Sequence, residues 1–195
     1  MGSVRTFVAI GLSAEVRDAL ALCQERLGSV RARFAKWTDP EGIHLTLKFL
    51  GNVDESMLPR LADALRRAVS TTPAFRLETG QLGAFPNTQN PRVVWLGLEG
   101  DLQSLQALQQ AVEAGLEPLG FPPEGRGFTP HLTLARVRET ATRADRLELA
   151  RSLSAVQAGS PVGLRVDDIL VMKSELDRAG ARYTQLYSIP LPGHT

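Results

Sequence analysis

Apolar positions along the chain switch between a two-residue and a roughly 3.6-residue period, and the switches mark out its elements. Residues 4–10, VRTFVAI, are rich in β-branched and aromatic side chains and predict a strand. Ser13 then stands as an N-cap before AEVRDALALCQERLG, whose spacing predicts a helix ending at Gly28. The same order repeats: HLTLKFL, from His44 to Leu50, reads as a strand, and Asp54 caps a helix running to about Ser70. Phe75 to Thr79 alternates, a Gly/Pro/Asn-rich loop covers residues 80–91, and Arg92 to Leu98 is a continuous apolar strand. Asp101 caps a third helix reaching Leu119, with Leu102, Leu105, Leu108 and Val112 marking one face. A loop with Pro122, Pro123, Gly125 and Gly127 leads into a strand from His131 to Val137. A fourth helix, about Arg143 to Val156, precedes two closing strands, Leu164 to Lys173 and Arg182 to Ile189, a hairpin turning near Asp177 and Gly180.

Strands and helices mix throughout, so the expected fold class is α+β with antiparallel pairing. No Gly-x-Gly-x-x-Gly and no P-loop follows any strand, which argues against a nucleotide cradle of either kind.

Composition narrows the picture further. At 195 residues with 43% hydrophobic and 22% charged positions, the chain suits one domain or two small lobes and needs no disulfide or metal to hold a core. Lysine and arginine total 22 against 21 acids, so the net charge of +1 provides no field to gather a long duplex, whereas a phosphate-bearing ligand or an RNA end needs only a few well-placed donors. Only Lys36, Lys48 and Lys173 are lysines, a skew toward arginine that coding bias explains as well as chemistry does. Cys23 is the single cysteine and sits in a helical pattern, as a small core residue would. No long apolar span and no signal-peptide pattern occurs, so a cytoplasmic protein without membrane contact is expected. The opening matches Met-Gly-x-x-x-Ser/Thr, but a strand begins at once with no second anchor, and the match reads as chance.

The informative feature is the tetrapeptide His-Leu-Thr-Leu, present at 44–47 and again at 131–134, each time after a loop containing Pro and Gly. Of three histidines, His194 lies in the C-terminal tail; the other two each have threonine two residues on. With 13 threonines in 195 residues, composition alone gives both coincidences a chance of about one in two hundred. In a strand, residues i and i+2 share a face, so each copy sets an imidazole beside a hydroxyl while its leucines face the core. Two such half-sites about an approximate two-fold axis suit a phosphodiester: one imidazole deprotonates water, the other protonates the leaving oxygen, and the hydroxyls donate to the non-bridging oxygens. Two carboxylates could not share that work around an anion. Metal binding is the weaker rival, since no His-x-His, no His-Glu-x-x-His and no acid at ligand spacing accompanies either histidine.

These blocks also resemble the 2H phosphoesterases, named for two His-x-Thr-x motifs, and within them the RNA 2′,3′-cyclic phosphodiesterases, also called 2′-5′ RNA ligases. The resemblance runs through RTFVAIGLS, GIHLTLKFLGNV, GAFPNTQNPRVVWLGL, GFTPHLTLARVR and the ending LYSIPL. It implies one two-lobed domain over 1–195, with pseudo-two-fold symmetry, antiparallel sheets lining a central cleft and helices outside. It further implies His44 as proton donor, His131 as proton acceptor, and Thr46 and Thr133 as phosphate holders. The implied reaction opens a terminal 2′,3′-cyclic phosphate to a 2′-phosphate with no metal and no cofactor, and reverse ligation to a 2′-5′ linkage follows from microscopic reversibility. The implied partner is an RNA end, single-stranded or a tRNA fragment, bound by a monomer. Ile43 stands where related proteins often carry a polar residue.

Cations near the motifs divide by parity. Lys48 shares the parity of His44 and Thr46, so an unbroken strand points it into the cleft, whereas Arg136 needs a bulge to reach and is favoured because similar proteins place arginine there. Arg5, Arg92 and Arg126 are weaker candidates. Phe85 and Trp37 are positioned to stack a terminal base, and Phe49, with the parity of Leu45 and Leu47, is expected in the core. Two alternatives stay open: a non-catalytic RNA-end binding module, and the same chemistry on a small cyclic nucleotide.

Overall fold

A computed structural model describes residues 2–27, 34–176 and 181–193. Nine strands and four helices follow one another as β1 (Ser3–Ile10), α1 (Ala14–Arg26), β2 (Ala35–Trp37), β3 (Leu45–Asp54), α2 (Leu58–Ala68), β4 (Phe75–Phe85), β5 (Val93–Gly100), α3 (Leu102–Leu116), β6 (His131–Val137), α4 (Arg143–Ala155), β7 (Gly163–Val166), β8 (Asp168–Leu176) and β9 (Ala181–Pro190). Local chemistry sets most of these boundaries. Ser13 accepts from the Val16 amide to start α1, Asp101 accepts from the Ser104 amide to start α3, and Thr142 with Asp145 forms a reciprocal capping box on α4. Asp54 caps a single 3₁₀ turn, Glu55–Met57, before α2 begins. The expected helix end at Gly28, the turn near Asp177 and Gly180, and His194 lie outside the described residues.

All strand pairing is antiparallel and falls into two sheets: β3-β1-β8-β9, here sheet A, and β2-β6-β5-β4-β7, here sheet B. The α+β fold with two antiparallel sheets, the cleft between them and the helices outside is therefore as expected. α2 and α3 pack on each other, α2 against β9 and α3 against β3 of sheet A, while Gln24 of α1 reaches β6 of sheet B. One apolar core runs behind both sheets, from Val8, Leu45 and Leu61 to Leu96, Leu132 and Val166. A smaller cluster, Phe7, Ala9, Leu170 and Met172 with Tyr183 against it, is separate from that core.

Three details depart from the sequence reading. The stretch expected as one strand from Leu164 to Lys173 is two, β7 in sheet B and β8 in sheet A, with Asp167 at the crossing. β4 runs on to Phe85, through residues whose Gly80 and Gly83 predict a loop; a Cβ at Gly83 would fall 2.2 Å from the Trp95 indole, so the glycine makes room for that ring. β2, three residues long, pairs with β6 where the sequence predicts a loop.

Candidate active site

His44 stands immediately before β3 and His131 is the first residue of β6. Each imidazole is oriented the same way. Nδ1 of His44 lies 3.0 Å from the Gly42 carbonyl, and Nδ1 of His131 lies 2.7 Å from the Thr129 carbonyl, two residues back in both cases. A carbonyl only accepts, so Nδ1 carries the hydrogen and Nε2 is left to take or give a proton. Around them the walls differ. His44 packs edge-on against Phe7 and Tyr183, at centroid distances of 5.9 and 5.2 Å, whereas His131 packs edge-on against Phe85 at 4.9 Å, with Trp95 beyond it. Burial between the two rings holds the His44 pKa below the ordinary histidine value; the Gly42 hydrogen bond opposes this and the Arg17 charge adds to it.

A cavity of about 730 Å³ opens beside them. Thr46 and Thr133 both line it, with His44, Phe7 and Tyr183 on the sheet A side and Arg136, Lys36 and Trp37 on the sheet B side. Arg5 and Arg182 also reach it, while Arg92 and Arg126 are not among its lining residues. Among the described residues no three His, Cys, Asp or Glu side chains are grouped to hold a metal.

What the alternation rule missed is a β-bulge in each motif strand. On β3, Ala9 faces Thr46 and Val8 faces Lys48, so Leu47 is an extra residue; on β6, Trp95 faces Thr133 and Val94 faces Ala135, so Leu134 is an extra residue. An extra residue reverses the parity of everything after it. Arg136 therefore comes round to the face of Thr133 and lines the cavity. Lys48, expected in the cleft, is instead 2% exposed on the core side, paired with Glu113 of α3 and donating to the Pro122 carbonyl at 2.8 Å. Phe49, expected in the core, is 59% exposed and lines the cavity.

Each bulge is held from behind by a buried polar side chain. Gln24 of α1 donates to the Leu134 carbonyl at 3.1 Å and to the Thr38 carbonyl at 2.7 Å, binding the bulge of β6 to the end of β2. Glu113 holds Lys48, accepts from Gln109 Nε2 at 3.0 Å and from the Glu124 amide at 3.5 Å, and Glu124 in turn accepts from the Phe49 amide at 3.4 Å. The loop that delivers His131 thus hangs from the bulge that follows His44. Nothing in the local sequence around position 48 signals this, because its partners are 65 and 74 residues away.

With the paired motifs in place, the chain can be set beside known proteins. The family model of the 2′-5′ RNA ligase superfamily matches residues 13–178. The chain belongs to this superfamily. The RNA 2′,3′-cyclic phosphodiesterase of Methanothermobacter thermautotrophicus is 36% identical over 183 residues, 94% of this chain and 96% of its own. Among solved structures, TT0787 of Thermus thermophilus superposes with a TM-score of 0.76 at 31% identity, covering 98% of this chain and 100% of its own. LigT of E. coli complexed with 3′-AMP superposes with a TM-score of 0.78 at 26% identity, covering 97% and 99%. As a superfamily member the chain keeps both His-x-Thr-x motifs whole, and the sequence reading that placed it among the 2H phosphoesterases is confirmed.

Proposed function

We propose that the protein is an RNA 2′,3′-cyclic phosphodiesterase, with His44 as proton donor, His131 as proton acceptor, and Thr46 and Thr133 as the hydroxyls that hold the phosphate. The observation that carries this is that both threonines line one cavity, each two residues after an imidazole whose Nδ1 is engaged by a backbone carbonyl. The threonine hydroxyls donate to the two non-bridging oxygens, whose negative charge grows as the phosphorus becomes five-coordinate. His131 takes a proton from water through Nε2, the water oxygen bonds to phosphorus, and the bond from phosphorus to the 3′ oxygen breaks. His44 gives its proton to that oxygen, leaving a 3′ hydroxyl and a 2′-phosphate.

The unequal surroundings of the histidines support this division. Burial makes the His44 imidazolium a stronger acid, and the bound anion supplies the charge that lets the buried ring hold a proton until it is needed. Arg136 brings a fixed cation to the wall that carries Thr133, and Phe49 offers an exposed ring on which a terminal base can stack. The substrate is a single-stranded RNA end, tRNA fragments included, bound by one copy of the chain. A 5′ hydroxyl in place of water runs the same steps backwards to a 2′-5′ linkage.

The decisive test is incubation with a short RNA ending in a 2′,3′-cyclic phosphate, with EDTA present, and separation of 2′- from 3′-phosphate products. A 2′-phosphate is the expected product. Binding without turnover would instead make the cleft a reader of RNA ends.

A further inference from the structure

One cation at the cavity wall, Lys36, has no part in the hydrolytic steps. It lies on β2 directly opposite Arg136 of β6 in an antiparallel ladder. Directly opposed residues leave the same face of a sheet with their Cβ atoms about 5 Å apart. Both side chains line the cavity. Like charges so placed repel one another, and no counter-ion offsets them: among the described residues neither Lys36 nor Arg136 enters an ion pair. The acid on the same wall, Asp39, is turned to the Glu41 amide, from which it accepts at 3.1 Å. Lys48 shows the contrast, being neutralised internally by Glu113.

Position identifies the anion the pair awaits. Arg136 follows Thr133 by three residues of β6, one of them absorbed by the bulge, so it stands on the order of 7–10 Å farther along the cleft. Lys36 is one strand spacing, about 4.8 Å, beyond it toward the sheet edge. With a cyclic phosphate seated between Thr46 and Thr133, a neighbouring phosphate of the same chain comes within reach of two long cationic side chains. We propose that Lys36, with Arg136 opposite, seats the phosphodiester joining the terminal nucleotide to the rest of the RNA, so that the cleft recognises a second phosphate as well as the one it opens. This subsite rests on the phosphodiesterase reading and adds what distinguishes an RNA end from a cyclic mononucleotide.

The test compares kcat/KM on three substrates: adenosine 2′,3′-cyclic phosphate, the same compound bearing a 5′-phosphate, and an adenylyl dinucleotide ending in a 2′,3′-cyclic phosphate. The unmodified protein should favour both phosphate-bearing substrates over the first. Lys36→Met should cut that preference about tenfold, as loss of a charged hydrogen bond does, and Lys36→Arg should restore most of it. The dependence of log(kcat/KM) on log salt for the dinucleotide should become shallower by about 0.7 in Lys36→Met. An unchanged preference in Lys36→Met, an equal loss on all three substrates, or a 5′-phosphate that brings no advantage would each overturn the subsite. Failure of the unmodified protein to open any of the three would remove the phosphodiesterase reading itself.

Discussion

In β3 the extra residue at Leu47 sends Lys48 inward and Phe49 outward; in β6 the extra residue at Leu134 sends Ala135 inward and Arg136 outward. Up to the bulge the two half-sites are copies: imidazole, hydroxyl two residues on, Nδ1 tied to the carbonyl two residues back. Beyond it they diverge at matching positions. One half presents an aromatic ring where the other presents a guanidinium, and one half buries an ammonium where the other buries a methyl group. The duplicated part suits what is symmetric in the ligand, a phosphate with two non-bridging oxygens. The divergent part suits what is not, since a base lies to one side of the terminal phosphate and a charged backbone continues on the other.

The sharpest way to break this comparison is to remove the duplicated groups singly. His44→Ala and His131→Ala should each lower turnover of a 2′,3′-cyclic phosphate end by about 10³-fold or more, with circular dichroism unchanged. A half-site whose histidine proves dispensable would end the claim that the two act as a pair.

Next in size is the difference between the two bulge anchors. Lys48→Met leaves the Glu113 carboxylate buried without its cation and should cost about 3–5 kcal/mol in urea unfolding. Lys48→Met combined with Glu113→Leu should recover most of that, because no buried charge remains. Gln24→Ala, which frees only the carbonyls of Leu134 and Thr38, should cost about 1–3 kcal/mol. If the two single variants unfold at the same urea concentration, the anchors are equivalent and the contrast between them disappears.

Phe49→Ala tests the divergent half directly. With its ring 59% exposed, stability should stay within about 0.5 kcal/mol, while KM for an RNA end rises about tenfold through lost base stacking. Phe49→Trp should keep the wild-type KM.

The smallest effect is in the pH profile. His44 must be protonated to act as the acid, so activity falls as pH rises through its pKa. Burial lowers that pKa in the free protein, and the phosphate anion raises it once bound. The alkaline limb attributed to His44 should therefore lie at lower pH in kcat/KM, which reports the free protein, than in kcat, which reports the complex. Coincident limbs would place the acid elsewhere.

Much of this was legible along the chain because the signals are local. Caps at Ser13, Asp101 and Thr142, the apolar faces of the helices, and the repeated His-Leu-Thr-Leu each depend on residues within a few positions of one another. The same locality carried the half-sites, since two-residue alternation holds from His44 to Thr46 and from His131 to Thr133. It failed one residue later in both strands, and for a reason that no window of sequence contains. An extra residue is defined only against the strand it pairs with, here Val8 and Ala9 for β3 and Val94 and Trp95 for β6. The sequence by itself determined the fold class, the family and the four motif residues. Tertiary structure alone decided that Lys48 pairs with Glu113, that Phe49 and Arg136 face the cleft, that Phe7 and Tyr183 enclose His44, and that Lys36 meets Arg136, because each is a contact between strands or helices far apart in the chain.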